Sequence, residues 1–142
     1  MDNNKLKHLD YIHNTINKMS TNSFLIKGWA ITIVSALFIF SDNKMNERIL
    51  AIAVLSMIVF WYLNGYFLHQ ERKFRALYDK VRILSESQID FSMSTKEFKK
   101  NRYSLISGIF GKTIWPLYLS IIIMIIIIQY IAESTVASKV MW

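Results

Sequence analysis

Three long apolar segments alternate with polar regions along this chain. Apolar side chains fill nearly every position from Phe24 to Phe40, from Ile49 to Leu68 and from Ile114 to Ala132. A helix that rises 1.5 Å per residue needs about 20 residues to cross about 30 Å of hydrocarbon. A soluble domain of 142 residues has no use for three such runs. The sequence therefore predicts an all-α integral membrane protein, a single domain with three transmembrane helices at 24–40, 49–68 and 114–132.

The residues before the first apolar segment have a different pattern. Apolar residues recur every three or four positions from Leu6 to Met19, with charged and amide side chains between them, which is typical of an amphipathic helix. Four N-capping residue types follow, at 20–23. Region 1–23 is thus predicted to be a separate amphipathic helix that lies in the membrane interface or docks on the rest of the chain.

The second apolar segment has no stop signal at its end. Apolar residues continue the helical period from Phe74 to Leu84, and no Gly or Pro occurs before Ser94. One helix is therefore predicted from Ile49 to about Glu86, with a cytoplasmic apolar stripe. That stripe needs a partner, which could be the N-terminal helix, the next helix or another subunit.

A break at 87–93 precedes a capping-box pattern in which Ser94 is the N-cap and Glu97 the N3 residue. It predicts a helix at 94–107, which completes a cytoplasmic helical hairpin and returns the chain through Gly108 and Gly111. Pro116 falls in the first turn of the third span, where a missing N–H is tolerated. Trp115 and Tyr118 are expected in an aromatic belt at the membrane surface.

The basic residues are distributed unevenly between the two ends of the spans. Three lysines precede the first span and ten Lys or Arg lie between Leu68 and Ile114, whereas the loop after the first span carries two and the last ten residues one. The positive-inside rule places the N-terminus in the cytoplasm and the C-terminus outside. Because most cations adjoin the spans, we expect anionic membrane lipids rather than nucleic acid to be their partners.

No motif for catalysis or for a cofactor is present. The chain lacks cysteine, a nucleophile elbow, a phosphate-binding glycine loop and a zinc-protease motif. His8, His13 and His69 have no metal-ligand spacing. We therefore expect a protein that is not an enzyme and has no metal or cofactor.

Two polar residues interrupt the apolar segments at matching positions. Lys27 lies four residues into the first span, and Asn64 lies about four residues from the end of the second. The spans are antiparallel neighbours because only eight residues join them, so both side chains are expected at one depth. Such groups are functional candidates by default. Alternatively, Lys27 extends to the headgroups, and Asn64 specifies a helix–helix contact within or between subunits.

A polar cluster follows the second span, and it predicts an inter-subunit network, a pore mouth, a partner contact or a solvated helix face. Its members are His69, Glu71, Arg72, Arg75, Tyr78 and Asp79. The third span is apolar all round, so a pore or a helix-packing face would be lined by the small and polar residues of the first two spans. These residues are Thr32, Ser35 and Ser56.

Two stretches resemble a known group of proteins. NSFLIKGWAITIVSALF (22–38) and FWYLNGYFLHQERKFRALYDKVR (60–82) resemble small three-span bacterial inner-membrane proteins found in phage-defence islands. Lys27-Gly28-Trp29 and Gln70 to Asp79 carry the likeness. The resemblance implies an effector that depolarises or permeabilises the inner membrane after a partner senses infection.

Three hypotheses of function follow. The first is a homo-oligomeric membrane effector that permeabilises or depolarises the bacterial inner membrane in anti-phage defence, held inactive or signalled through its cytoplasmic helices. The second is a membrane anchor that recruits a soluble defence enzyme through the apolar stripe. A solute transporter is the third, and the absence of repeats and of helices broken at mid-membrane argues against it.

Overall fold

The computed structural model of the protein describes residues 3–40, 47–99 and 101–140, and these are folded into helices without a strand. The predicted all-α fold is confirmed, with 84% helix. The four α-helices are α1 (Asn3–Phe40), α2 (Glu47–Ile83), α3 (Leu105–Ile109) and α4 (Trp115–Val140), with 3-10 turns at Glu86–Gln88 and Asn101–Tyr103. Of the predicted loop between the first two spans, at 41–48, residues 41–46 lie outside the described residues, and Glu47 and Arg48 belong to α2.

Two of these helices are long and apolar enough to cross a membrane, namely α1 and α2. The described apolar part of α4, Trp115–Ile131, is shorter. Helix α4 as a whole runs past the predicted end at Ala132 to Val140.

Helix α1 has no break at its centre. The predicted separate helix at 1–23 is wrong, because Ser20 to Ser23 are interior residues of one helix of 38 residues, about 57 Å long at 1.5 Å per residue. Hydroxyl and amide residues disfavour a helix interior by only about 0.5 kcal/mol each. Packing outweighs that preference, since Ser23 within the segment, Ile16 before it and Ala30 after it are all buried.

Helix α2 is continuous, as predicted, and ends at Ile83, three residues before the expected Glu86. Lys5 of α1 lies against this end. Its Nζ donates to the carbonyl oxygens of Leu84 (2.6 Å) and Arg82 (3.3 Å). A cation at the carbonyl end of a helix satisfies free acceptors and complements the helix dipole. Lys5 therefore fixes the first turn of α1 to the last turn of α2.

The predicted helix at 94–107 is wrong. Glu97 does not reach back to Ser94, because both of its carboxylate oxygens accept from Lys80 Nζ at 2.7 and 2.8 Å. The helix that does form in this region is α3, and Ser104 caps it by accepting from the N–H of Ser107. A capping box is found earlier, at Ser85 and Gln88.

Helices α1 and α2 form a long antiparallel hairpin with two core clusters. The first core cluster joins α1, α2 and α4, and its buried members are Ala30, Val34, Ala53, Met57, Ile114, Tyr118 and Ile125. The second core cluster lies at the other end of the hairpin, and its buried members are Leu9, Ile12, Ile16, Leu77, Val81 and Ile89. The apolar stripe of α2 at Leu77 and Val81 is therefore covered by α1, and Ile89 and Phe98 of the following segment also pack against it.

Helix α3 packs against α2 with direct backbone contact at two glycines. A Cβ added to Gly65 would lie 2.7 Å from Ile109 Cα, and one added to Gly108 would meet the carbonyl oxygen of Gly65. Small residues allow such close approach of helices. These two glycines set the distance between α2 and the segment that leads into α4.

We expect Gly65→Ala and Gly108→Ala each to lower the free energy of unfolding by about 1–3 kcal/mol, the usual range for an overpacked core. Thermal unfolding in a mild detergent, followed by circular dichroism, measures the change. The matched control is Gly28→Ala in α1, where an added Cβ meets nothing within 4 Å. Equal effects at all three glycines would contradict the packing explanation.

Candidate functional site

The most buried polar group in the described chain is the amide of Asn64 in α2, whose exposure is 0%. Ser23 Oγ of α1 donates to its Oδ1. Its Nδ2 donates to the hydroxyl of Tyr118 in α4 at 3.3 Å. We call Ser23, Asn64 and Tyr118 the polar bridge, because it joins the three long helices through hydrogen bonds inside an apolar core.

An aromatic side chain extends the polar bridge toward α3. The Trp61 ring stacks on Tyr118 with 6.3 Å between ring centroids and 6° between planes. Its Nε1 donates to the carbonyl oxygen of Ile109 at 2.9 Å, and Phe110 meets the ring edge-on. The indole thus connects the C-terminal end of α3 to the helix core.

Lys27 is not part of this site. The structure gives no hydrogen bond between Lys27 and Asn64, whose amide oxygen and nitrogen are bound by Ser23 and Tyr118 instead. Lys27 lies one helical turn beyond Ser23 and is partly exposed. The predicted pairing comes from counting residues inward from the ends of the two apolar segments. If one of these ends is misplaced by one helical turn, a different residue lies opposite Asn64.

Tyr118, predicted in an aromatic belt at the membrane surface, is fully buried within the protein. Neither Tyr118 nor Ser23 is predicted from the sequence as a partner of Asn64. Ser23 was assigned to a helix cap, and no signal in the local sequence separates a capping serine from one that bonds across helices. Trp115, the other predicted belt residue, is 42% exposed.

The predicted polar cluster after Leu68 divides into three environments. Arg72 reaches α3, where its Nη1 donates to the carbonyl oxygen of Ser107 (2.8 Å) and to its hydroxyl (3.0 Å). Glu71 and Arg75 form an i,i+4 ion pair at 2.8 Å. Tyr78 faces the opposite way, toward His13 of α1, with ring centroids 6.3 Å apart.

Arg72 also belongs to a surface groove of about 350 Å³ between α2 and the segment before α3. The groove is lined by Arg72, Arg75, Asp79, Arg102, Tyr103 and Ser107. Three of the predicted cluster residues therefore come together with three that the sequence did not connect to them.

His69 lies beside the start of α3. Burial lowers its pKa below the usual 6.5, and the nearby positive charges of Lys73 and Arg72 act in the same direction. The backbone of Tyr103 and Ser104 opposes this change. Its Nδ1 is buried without a hydrogen-bond partner, so the folded state favours the neutral imidazole.

Of the three candidate lining residues, Thr32 and Ser35 are exposed and Ser56 is partly exposed. Thr32 is exposed and donates its hydroxyl to the carbonyl oxygen of Gly28 at 2.9 Å. Ser56 does the same with Ile52 at 2.8 Å, and Ser35 is also exposed. Within the described chain these hydroxyls do not line an internal channel.

Among residues 3–40, 47–99 and 101–140, no group of three or more His, Asp or Glu side chains is placed to hold a metal ion. Comparison with known proteins adds no relative: no protein family, curated protein or solved structure matches this chain. Its function has to be inferred from its own residues.

Replacing Asn64 by Leu should leave the hydroxyls of Ser23 and Tyr118 without partners, at a cost of about 1–3 kcal/mol in the free energy of unfolding. Removing all three polar groups in Ser23→Ala, Asn64→Leu, Tyr118→Phe should recover most of this loss, because no buried group is then unpaired. The free energy of unfolding in detergent is measured for the Asn64→Leu variant and for the triple variant. Lys27→Gln is the control and should change this free energy little. A triple variant as unstable as the sum of the single changes would contradict the polar bridge.

Acidification should destabilise the fold through His69. The unfolded chain binds a proton near pH 6.5, whereas the folded state, with its lowered pKa, does not. Unfolding is therefore coupled to proton uptake, and stability is highest above pH about 6.5 and falls below it. Melting temperatures from pH 8 to pH 5 should fall less in His69→Gln than in the wild type, with the exposed His13→Gln as control. An unchanged pH dependence in His69→Gln would contradict the assignment.

Proposed function

We propose that this protein is a homo-oligomeric membrane effector that permeabilises or depolarises the bacterial inner membrane in anti-phage defence. In this proposal α1, α2 and α4 cross the bilayer, with the N-terminus in the cytoplasm. The second core cluster then forms a cytoplasmic helical domain that holds the effector inactive or receives a signal.

The exposure of the apolar helices supports a membrane location. Only 17% and 22% of the residues in the most apolar stretches of α1 and α2 are buried. The core helix of a soluble protein would have most of that surface covered. Trp29 (60% exposed) and Tyr130 (73% exposed) are among the large side chains on the outside of the protein. Such an apolar surface favours contact with lipid over contact with water.

The oligomer is supported mainly by the three outward-facing hydroxyl residues. Thr32 comes nine residues after Ser23 in α1, about 14 Å along the axis. Ser23 lies opposite Asn64, about 6 Å inside the end of the second apolar segment at Leu68, so Thr32 lies about 20 Å from that end, well inside a bilayer of about 30 Å. Hydroxyls at that depth favour contact with other helices or with water over contact with lipid. Since they face outward from one chain, the water-filled space they would line exists only between copies.

The anchoring hypothesis loses its docking surface. It required the apolar stripe of α2 to be free for a soluble enzyme, and Leu77 and Val81 are 4% and 3% exposed beneath α1. The effector hypothesis requires no such free stripe. Its assignment to phage defence rests on the likeness of segments 22–38 and 60–82 to small three-span inner-membrane proteins of phage-defence islands, which implies an effector role.

We expect the purified protein to have the mass of three or more chains in mild detergent, measured by light scattering corrected for the detergent. Reconstituted in liposomes, it should dissipate an imposed potassium gradient, followed with a voltage-sensitive dye. Thr32→Val, Ser35→Ala, Ser56→Ala should reduce this flux by about tenfold or more, since a barrier raised by about 1.4 kcal/mol has that effect.

The matched control is Ser120→Ala in α4. Ser120 is exposed and donates to its own helix, to the carbonyl oxygen of Leu117, but it lies outside the proposed lining. Its variant should conduct like the wild type. A monomer, or an oligomer whose flux the triple variant leaves unchanged, would exclude this pore.

A further inference from the structure

The groove beside Arg72 has the composition of an anion site. Three of its side chains are arginines, and Asp79 is the only acid that lines it. Just outside the groove, Glu71 pairs with Arg75 and Arg82 pairs with Asp79. These two outer charges cancel, so the groove keeps an excess of two positive charges.

The three arginines of the groove have different partners, and some of their N–H donors remain without one. Arg72 is fixed by the carbonyl and hydroxyl oxygens of Ser107 through Nη1 alone. Arg75 is 59% exposed and uses Glu71. Arg102 lies on the opposite wall, and the structure gives it no hydrogen bond or ion pair within the described residues. Guanidinium groups bind phosphate oxygens through paired N–H donors, and the hydroxyls of Tyr103 and Ser107 add further donors.

The position of the groove along α2 indicates where its ligand comes from. Arg72 and Arg75 follow the last apolar residue of the segment, Leu68, by four and seven residues, or about 6 and 10 Å along the helix. The polar layer on each side of the hydrocarbon is about 5–8 Å thick. Arg72 therefore lies within the headgroup layer and Arg75 at its cytoplasmic edge, so the groove begins at the level of the headgroups.

We propose that this groove binds the phosphate of an anionic phospholipid headgroup from the cytoplasmic leaflet. Arg102 and Arg75 hold the phosphate oxygens from opposite walls, and Arg72 supplies a third positive charge. The inference rests on the membrane location in the proposed function, but not on oligomer formation or on a pore.

Titration of a short-chain phosphatidylglycerol into the full-length protein in a neutral maltoside detergent, followed by thermophoresis, tests this site. Binding should saturate, and the zwitterionic phosphatidylcholine of the same chain length should bind at least about tenfold more weakly, a difference of about 1.4 kcal/mol. Arg102→Gln and Arg75→Gln should each weaken phosphatidylglycerol binding by about the same factor. Neither side chain is buried, so both variants should fold.

Lys18→Gln is the matched control. Because Ser23 lies opposite Asn64 in the antiparallel hairpin, Lys18 is level with His69, at nearly the depth of the groove but outside its lining. This variant loses one positive charge and should bind phosphatidylglycerol like the wild type. An equal loss in Lys18→Gln, or equal binding of phosphatidylcholine, would show only diffuse surface attraction and overturn the proposal.

Competition with inorganic phosphate distinguishes a lipid headgroup from a free anion as the ligand of the groove. If phosphate alone competes with phosphatidylglycerol at similar concentrations, the groove is a site for a free anion and the lipid assignment is wrong. If it competes only at far higher concentrations, the lipid assignment is supported. All of these binding measurements are made in detergent without an ion gradient, so they do not depend on the result of the flux experiment. Absence of lipid binding would likewise not contradict the proposed pore.

Discussion

The burial of one amide constrains the arrangement of the three long helices. Asn64 has no exposed surface, so its oxygen and its nitrogen must both find partners inside the protein. Those partners are hydroxyls from α1 and α4. A shift of either helix by one turn would separate donor from acceptor, whereas apolar contacts tolerate such a shift at small cost. The polar bridge therefore fixes the register of helices whose remaining contacts are almost entirely non-directional.

The same register reaches the far end of the hairpin. With Ser23 opposite Asn64, α1 and α2 run antiparallel for their whole length, and Lys5 arrives at the carbonyl end of α2. The apolar residues of the first turns of α1 then cover Leu77 and Val81. A helix pair about 55 Å long is thus held by polar contacts of two kinds, an amide between hydroxyls near its centre and a lysine on backbone carbonyls at one end.

Helix α3 contributes through backbone proximity. Gly65 and Gly108 allow contact that any side chain would prevent, and this contact brings Ser107 within reach of Arg72 and places Ile109 beside Trp61. The segment that leads into α4 is consequently attached to α2 by both packing and hydrogen bonds. The arginine groove is a product of this attachment, because one wall belongs to α2 and the other to residues just before α3.

The sequence by itself determined the helical class, the continuity of α2 and the apolar surface of the long helices, because these follow from local hydrophobic period and the absence of helix breakers. It also identified Asn64 as a residue that needs a partner, since an amide in an apolar segment cannot remain unpaired. Only the tertiary structure decided that the partners are Ser23 and Tyr118, that α1 passes through 20–23 without a break, and that Glu97 binds Lys80 in place of capping a helix. Each of these outcomes is a competition between a local preference of well under 1 kcal/mol and contacts with residues distant in sequence, and the distant contacts are visible only once the helices are packed together.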